Sequence, residues 1–199
     1  MLIRWGLGLA TILTILFASM RYEAAITADL PKSHPRQVFL IRHAEKPPEE
    51  LMSDQLDNRG KERAAALPKL FEKSADRPEA LARPDFIFAG ANTKKSARSS
   101  LTVAPLAQSL KIPVNAKHKK DDFSSLAREL LSNPKYSAKT VLVAWNHSNL
   151  QGFAKALGAK QVPEWKDEVF DRAWVLTWDA AGKPAFKDLP QNLLSGDSK

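Results

Sequence analysis

Two histidines close apolar runs in this chain. Val38 to Ile41 leads into Arg42 and His43, and Thr140 to Trp145 leads into Asn146 and His147. Cations and imidazoles are costly to bury without a partner. Either the strands deliver these groups to a rim where an anion sits, or each group belongs to the first solvated loop after a core strand. The Arg-His dipeptide alone leaves both readings open. A third run, "DFIFA" from Asp85 to Ala89, is followed by a polar loop and by Arg98 near a predicted helix start. If the three runs are parallel neighbours, Arg42, His43, Arg98 and His147 converge on one edge. Arginine forks grip phosphate oxygens in pairs, and a helix N-terminus adds oriented N–H donors. Neighbouring cations keep an imidazole neutral and therefore nucleophilic. Such a pocket could bind a phosphoryl group and present a histidine nitrogen to its phosphorus.

The elements that must position these residues alternate in type. Strands are expected at Gln37 to Ile41, Asp85 to Ala89, Thr140 to Trp145 and Ala173 to Trp178, with an edge element at Pro184 to Leu189. Between them, apolar spacing predicts a helix from about Asn58 to Lys73, with Ala64, Leu67, Leu70 and Phe71 on one face. Pro68 should kink or restart it. A helix from about Ser96 carries Ala97, Leu101 and Ala104 inward, and Pro105 is expected to open a new segment over Leu106 to Leu110. Asp121 to Leu131 reads as a helix with acids in its first turn, and Asn149 to Leu157 as one stopped by Gly158. Strands alternating with helices imply an α/β layer structure, in which ligands bind outside the carboxyl ends of the strands.

Composition narrows the chemistry. The chain has 199 residues, 44% hydrophobic, enough for one domain with a sizeable core. Its formal charge of +8 suits anionic partners. There is no cysteine, which excludes disulfides, cysteine-dependent phosphatases and thiol hydrolases. The start is basic at Arg4, followed by an uncharged run from Trp5 to Met20. As a helix that run would span about 24 Å, short of the roughly 30 Å hydrocarbon core. Residues 1–28 are therefore expected to be a signal peptide, cleaved after Ile26-Thr27-Ala28, or an uncleaved N-terminal membrane anchor. Either places the body outside the cytoplasm, in the periplasm or an equivalent space, with the functional domain at 35–190.

Four stretches in order carry a family resemblance. "FLIRHAEKP" resembles the Arg-His-Gly signature of the histidine phosphatase superfamily, the phosphoglycerate-mutase-like proteins, with Ala44 replacing glycine. "LDNRGKERAAAL" resembles the following segment, usually a Thr-x-x-Gly helix start. "ARSSLTVAPLAQSL" resembles the second-arginine helix, with Arg98 and Thr102 in place. "TVLVAWNHSNL" resembles the second-histidine segment, with Asn146 where a glycine normally stands. The specificity comes from the ensemble, which covers roughly Gln37 to Gly158. The resemblance implies an αβα sandwich of three layers around a mostly parallel central sheet. It implies a metal-independent phosphoric monoester hydrolase with no cofactor, acting on a phosphorylated small molecule or a phosphoprotein. His43 would become the phosphohistidine, and Arg42, Arg98 and His147 would bind the phosphoryl group.

The proton donor for the leaving group is not marked by any motif. Asp121, Asp122 and Glu129 lie in the stretch where the family often supplies a glutamate. Glu45, two residues past His43, is a further candidate acid and substrate-binding residue. Ser148 after the second histidine disfavours the histidine-acid branch. Lys94, Lys95 and the "KHKKDD" run at Lys117 to Asp122 read as solvated charge, and His118 as exposed without a partner. Trp145, Trp165, Trp174 and Trp178 read as packing, and Arg172 either nears the site or lies along the surface. A phosphatase-like binding module without catalysis is the competing reading, marked by loss of His43, Arg98 or His147, all of which are present. No nucleic-acid motif accompanies the basic charge, so no nucleic-acid partner is expected.

Overall fold

In Gln37–Arg42 (β1) the four central side chains, Val38 to Ile41, are apolar and buried on both faces, the signature of a strand with helices on each side. The computed structural model describes residues 34–75, 77–179 and 181–198. The expectation for residues 1–28 lies outside these residues. Among the described residues no helix is long and apolar enough to cross a membrane.

The remaining strands are Phe86–Ala89 (β2), Val114–Asn115 (β3), Thr140–Trp145 (β4), Arg172–Trp178 (β5) and Pro184–Pro190 (β6). They form one sheet in the order β3-β2-β4-β1-β5-β6. β3, β2, β4 and β1 run parallel, while β5 and β6 are antiparallel to their neighbours. The helices are Asn58–Ala66 (α1), Arg98–Leu110 (α2), Phe123–Ser132 (α3) and His147–Ala156 (α4).

Strand alternation divides the core in two. Phe39, Ile41, Ile87, Leu142, Ala144 and Val175 face one way, onto Leu67, Leu70, Val103 and Leu106 of the α1–α2 side. Val38, Leu40, Phe88, Val141, Val143 and Trp145 face the other, onto Leu126, Leu130, Leu150 and Phe153 of α3 and α4. Each fully buried side chain of this size contributes about 1.5–3 kcal/mol. The result is a three-layer αβα sandwich.

Several boundaries differ from expectation for local reasons. α1 gives way at Leu67 to a 3-10 turn ending at Phe71, as Pro68 requires. Pro105 does not restart α2: the helix is continuous from Arg98 to Leu110, because Val103, Leu106 and Ala107 on either side are buried. The predicted Asp121 helix is a 3-10 turn, Lys120–Asp122, followed by α3. α4 starts at His147 instead of Asn149, because the Asn146 side chain caps it by accepting from the Ser148 N–H at 3.0 Å. β3, at two residues, is too short for any periodicity to reveal.

The register places the strand ends level. Arg42 lies opposite Trp145, and Ala89 opposite Ala144. Beyond those rungs the His43 N–H still donates to the Trp145 carbonyl (2.9 Å) and the Gly90 N–H to the Ala144 carbonyl (3.1 Å). The carboxyl ends of β1, β2 and β4 thus share one rim.

Candidate active site

At that rim β1 delivers Arg42, 2% exposed, and His43, 5% exposed. The His43 Nδ1–H donates to the Ala44 carbonyl at 2.8 Å, since a carbonyl can only accept. That fixes the tautomer and leaves Nε2 with a free lone pair. Burial is the main cause that pushes the imidazole pKa down to about 4; Arg42, Arg98 and His147 push the same way, against the Ala44 hydrogen bond. The ring is therefore neutral at physiological pH.

The hydrogen bonds of Arg42 all leave from one corner. Its Nη1 donates to the carbonyls of Asp167 and Val169, the latter at 3.0 Å. The Phe170 ring lies 3.7 Å from the guanidinium carbon. Nε is buried and has no partner among the described residues. Burial lowers the Arg42 pKa to about 10, with Asp167 opposing, so the charge persists at neutral pH. An oriented cation with an unused N–H is prepared for an acceptor that the described residues do not provide.

The next residue explains the departure from glycine. Ala44 donates its N–H to Thr102 Oγ1 (2.8 Å), and that hydroxyl donates to the Arg98 carbonyl (2.8 Å). Its methyl is fully buried with Leu56, Ala64 and Leu101. Nearby, Asp57 caps α1 by accepting from the Gly60 N–H at 2.7 Å. A Cβ on Gly60 would stand 2.2 Å from the Glu45 carbonyl oxygen, so only glycine lets α1 approach this loop.

Arg98 is the first residue of α2. It donates from Nε to Ser96 Oγ (3.1 Å) and from Nη2 to the Lys95 carbonyl (3.3 Å). It lines a cleft of about 320 Å³ with Lys46, Pro47, Met52 and Lys95. A second, 70 Å³ hollow opens onto His43 between Gly90, Ser96, Ser99, Lys120 and Asn146. His147 opens α4, and its Nε2–H donates to Asp167 Oδ1 at 2.7 Å. Its Nδ1 is buried without a partner among the described residues. Burial and Arg42 lower its pKa, while Asp167 opposes them.

The candidate carboxylates are placed elsewhere. Both oxygens of Glu45 accept from Arg63 Nε at 3.0 Å, Oε1 also accepts from Arg63 Nη2 at 2.7 Å, and Arg59 approaches to 3.3 Å. Arg63 in turn binds Asp197 at 2.8 and 2.9 Å. Asp197 accepts from the Leu193 and Leu194 N–H groups, so the tail at 191–198 packs back beyond the expected 35–190 domain. Glu129 binds Tyr136, Lys117 and His118, and Asp122 lies 3.5 Å from His118; Asp121 is exposed. His118 is therefore not free and exposed as expected: it is half-buried between two acids. Arg172 pairs with Asp188 across β5 and β6. Trp145, Trp165 and Trp174 are core.

Sequence reasoning missed the loop from Glu164 to Phe170, which supplies the Arg42 acceptors, the Asp167 carboxylate and the Phe170 ring. The signal was the direction of β5. Because β5 is antiparallel to β1, with Ala173 opposite Ile41, the loop entering β5 meets the carboxyl ends of the parallel strands. Among the described residues no group of three or more His, Cys, Asp or Glu is placed to hold a metal.

A mostly parallel sheet covered on both faces, with an Arg-His pair at the end of its first strand, is a phosphoglycerate-mutase-like fold. No family model matches the chain, and no curated protein does either. Among solved structures, the protein histidine phosphatase SixA complexed with tungstate matches at TM-score 0.55 and 15% identity, over 78% of this chain and 97% of that one. A putative phosphohistidine phosphatase SixA from Agrobacterium tumefaciens matches at 0.44 and 21%, over 73% and 94%. A phosphoglycerate mutase from Plasmodium falciparum matches at 0.49 and 10%, over 82% and 96%. At these identities the likeness concerns the fold.

Proposed function

We propose that the protein is a phosphoester hydrolase that carries the transferred phosphoryl group on His43. One observation carries this reading. His43 is neutral, with Nδ1–H tied to the Ala44 carbonyl, so Nε2 is the free nucleophile among Arg42, Arg98 and His147. In the first step the P–O bond to the leaving group breaks and a P–N bond to Nε2 forms. In the second, water attacks phosphorus and the P–N bond breaks. Arg42 through its unused Nε–H, the Arg98 guanidinium and the His147 Nε2–H offset the charge on the phosphoryl oxygens. The substrate is a phosphorylated small molecule or a phosphoprotein, met after export directed by residues 1–28.

The test is rapid quenching of the leaderless protein with a phosphorus-labelled ester in the presence of EDTA. Acid-labile, alkali-stable label on His43 supports the reading. Binding of tungstate or phosphate without label or turnover would instead identify a non-catalytic phospholigand module. The solved SixA complex holds tungstate, which makes that ion a suitable probe.

A further inference from the structure

We infer that Asp167 protonates the departing oxygen of the ester, a role that rests on the phosphohistidine reading above. Four other carboxylates were candidates. Glu45 is held by Arg63 and Arg59, Glu129 by Tyr136, Lys117 and His118, Asp122 lies against His118, and Asp121 makes no contact with the site. Among the carboxylates of the described residues, Asp167 alone is hydrogen-bonded to a phosphoryl-binding group: its Oδ1 accepts from His147 Nε2 at 2.7 Å.

That position belongs to an anion. A phosphoryl oxygen and the Asp167 carboxylate compete for the same N–H, so the substrate displaces the side chain. The backbone cannot follow far, because the Asp167 and Val169 carbonyls are bound to Arg42, the group that also grips the phosphoryl oxygens. The displaced carboxyl therefore stays within a side-chain rotation of the phosphorus. Its side chain is 86% exposed, on the solvent side where a leaving group departs.

In the free site His147 donates to the Asp167 carboxylate and Arg42 lies beside it. A bound phosphoryl group takes over both donors and releases the Asp167 carboxyl to face the ester oxygen, where it carries the proton the leaving group needs. The proton then passes from Asp167 to the departing oxygen as the P–O bond breaks and the P–N bond forms. In the second step the carboxylate accepts a proton from the water that attacks phosphorus. Atoms and charge balance with no further reactant.

The experiment compares wild type and Asp167→Asn on glycerol phosphate and on p-nitrophenyl phosphate, whose leaving group needs little protonation. The glycerol phosphate kcat is expected to fall about a hundredfold or more, and the aryl rate far less. Equal falls on both esters would reduce Asp167 to a residue that orients His147 and overturn the inference. An unaffected alkyl rate would overturn it as well. Label on His43 in wild type separates these outcomes from failure of the phosphohistidine reading, in which no label forms and the inference falls with it. Partial recovery of the alkyl rate in Asp167→Glu, which keeps the acid, completes the support.

Discussion

Two buried charge clusters lie a few residues apart on the same rim, and they are finished differently. In the Glu45–Arg63–Asp197 cluster every charged group has its counter-ion, and Asp197 also accepts two backbone N–H groups. In the Arg42–His43–His147 cluster, the buried Arg42 Nε and His147 Nδ1 and the His43 Nε2 have no hydrogen-bond partner among the described residues. Burying unsatisfied polar atoms costs stability. The first cluster therefore holds the chain together, and the second keeps one N–H donor, on Arg42, and two imidazole lone pairs in reserve for a ligand. Glu45 and His43, two positions apart, belong to opposite kinds of chemistry.

The sharpest way to break the contrast is at the nucleophile. His43→Ala should abolish turnover and labelling while the protein stays folded, because the ring makes one short local hydrogen bond. Arg98→Ala and His147→Ala should each lower kcat by roughly a hundredfold or more. Steady-state turnover on a phosphoester reads the first effect, and unchanged circular dichroism checks the fold. A His43→Ala enzyme with wild-type turnover would refute the assignment.

The complementary change belongs to the finished cluster. Arg63→Ala leaves Glu45 and Asp197 with only the half-exposed Arg59 as counter-ion and should cost about 3–5 kcal/mol of stability. Denaturant unfolding measures this, and Arg63→Lys, which cannot serve both acids with one fork, should recover only part. A loss under 1 kcal/mol would show that the cluster is not structural.

A smaller effect follows pH. The Arg63 hydrogen bonds and the Leu193 and Leu194 N–H groups outweigh burial and hold Asp197 at about 2, against an ordinary 3.8. The folded carboxyl thus releases its proton more readily than the unfolded one. Its contribution is full above pH 3.8 and is lost as pH falls through 2. Asp197→Asn should be less stable at neutral pH and should lose less on acidification across that window. Parallel acid-unfolding curves would contradict it.

The smallest expected effect concerns the departure at Asn146. Asn146→Ala removes the cap of α4 and should cost about 1 kcal/mol. Because His147 opens that helix, fraying should also raise KM more than it changes stability. If Asn146→Gly leaves both untouched, the side-chain cap adds little to backbone geometry.

Much of the site was legible because short-range chemistry writes it. Strands with two apolar faces announce a covered sheet; Arg42 ends its strand, and His43 and His147 stand one and two residues beyond theirs, where any parallel neighbour must place them. The break at Pro68 is likewise local. Pro105 and the start of α4 were misjudged because packing on the sheet and one side-chain cap overrode local propensity.

What the sequence by itself determined is the set of reactive groups and the layers that hold them. Tertiary structure alone decided their partners. Asp167 meets Arg42 across 125 positions and His147 across the whole α4–β5 connection, and Asp197 meets Arg63 across 134. No periodicity or cap encodes such pairings. They exist because β5 runs antiparallel beside β1, which returns the loop from Glu164 to Phe170 to the rim and leaves the tail free to lock Arg63 behind it.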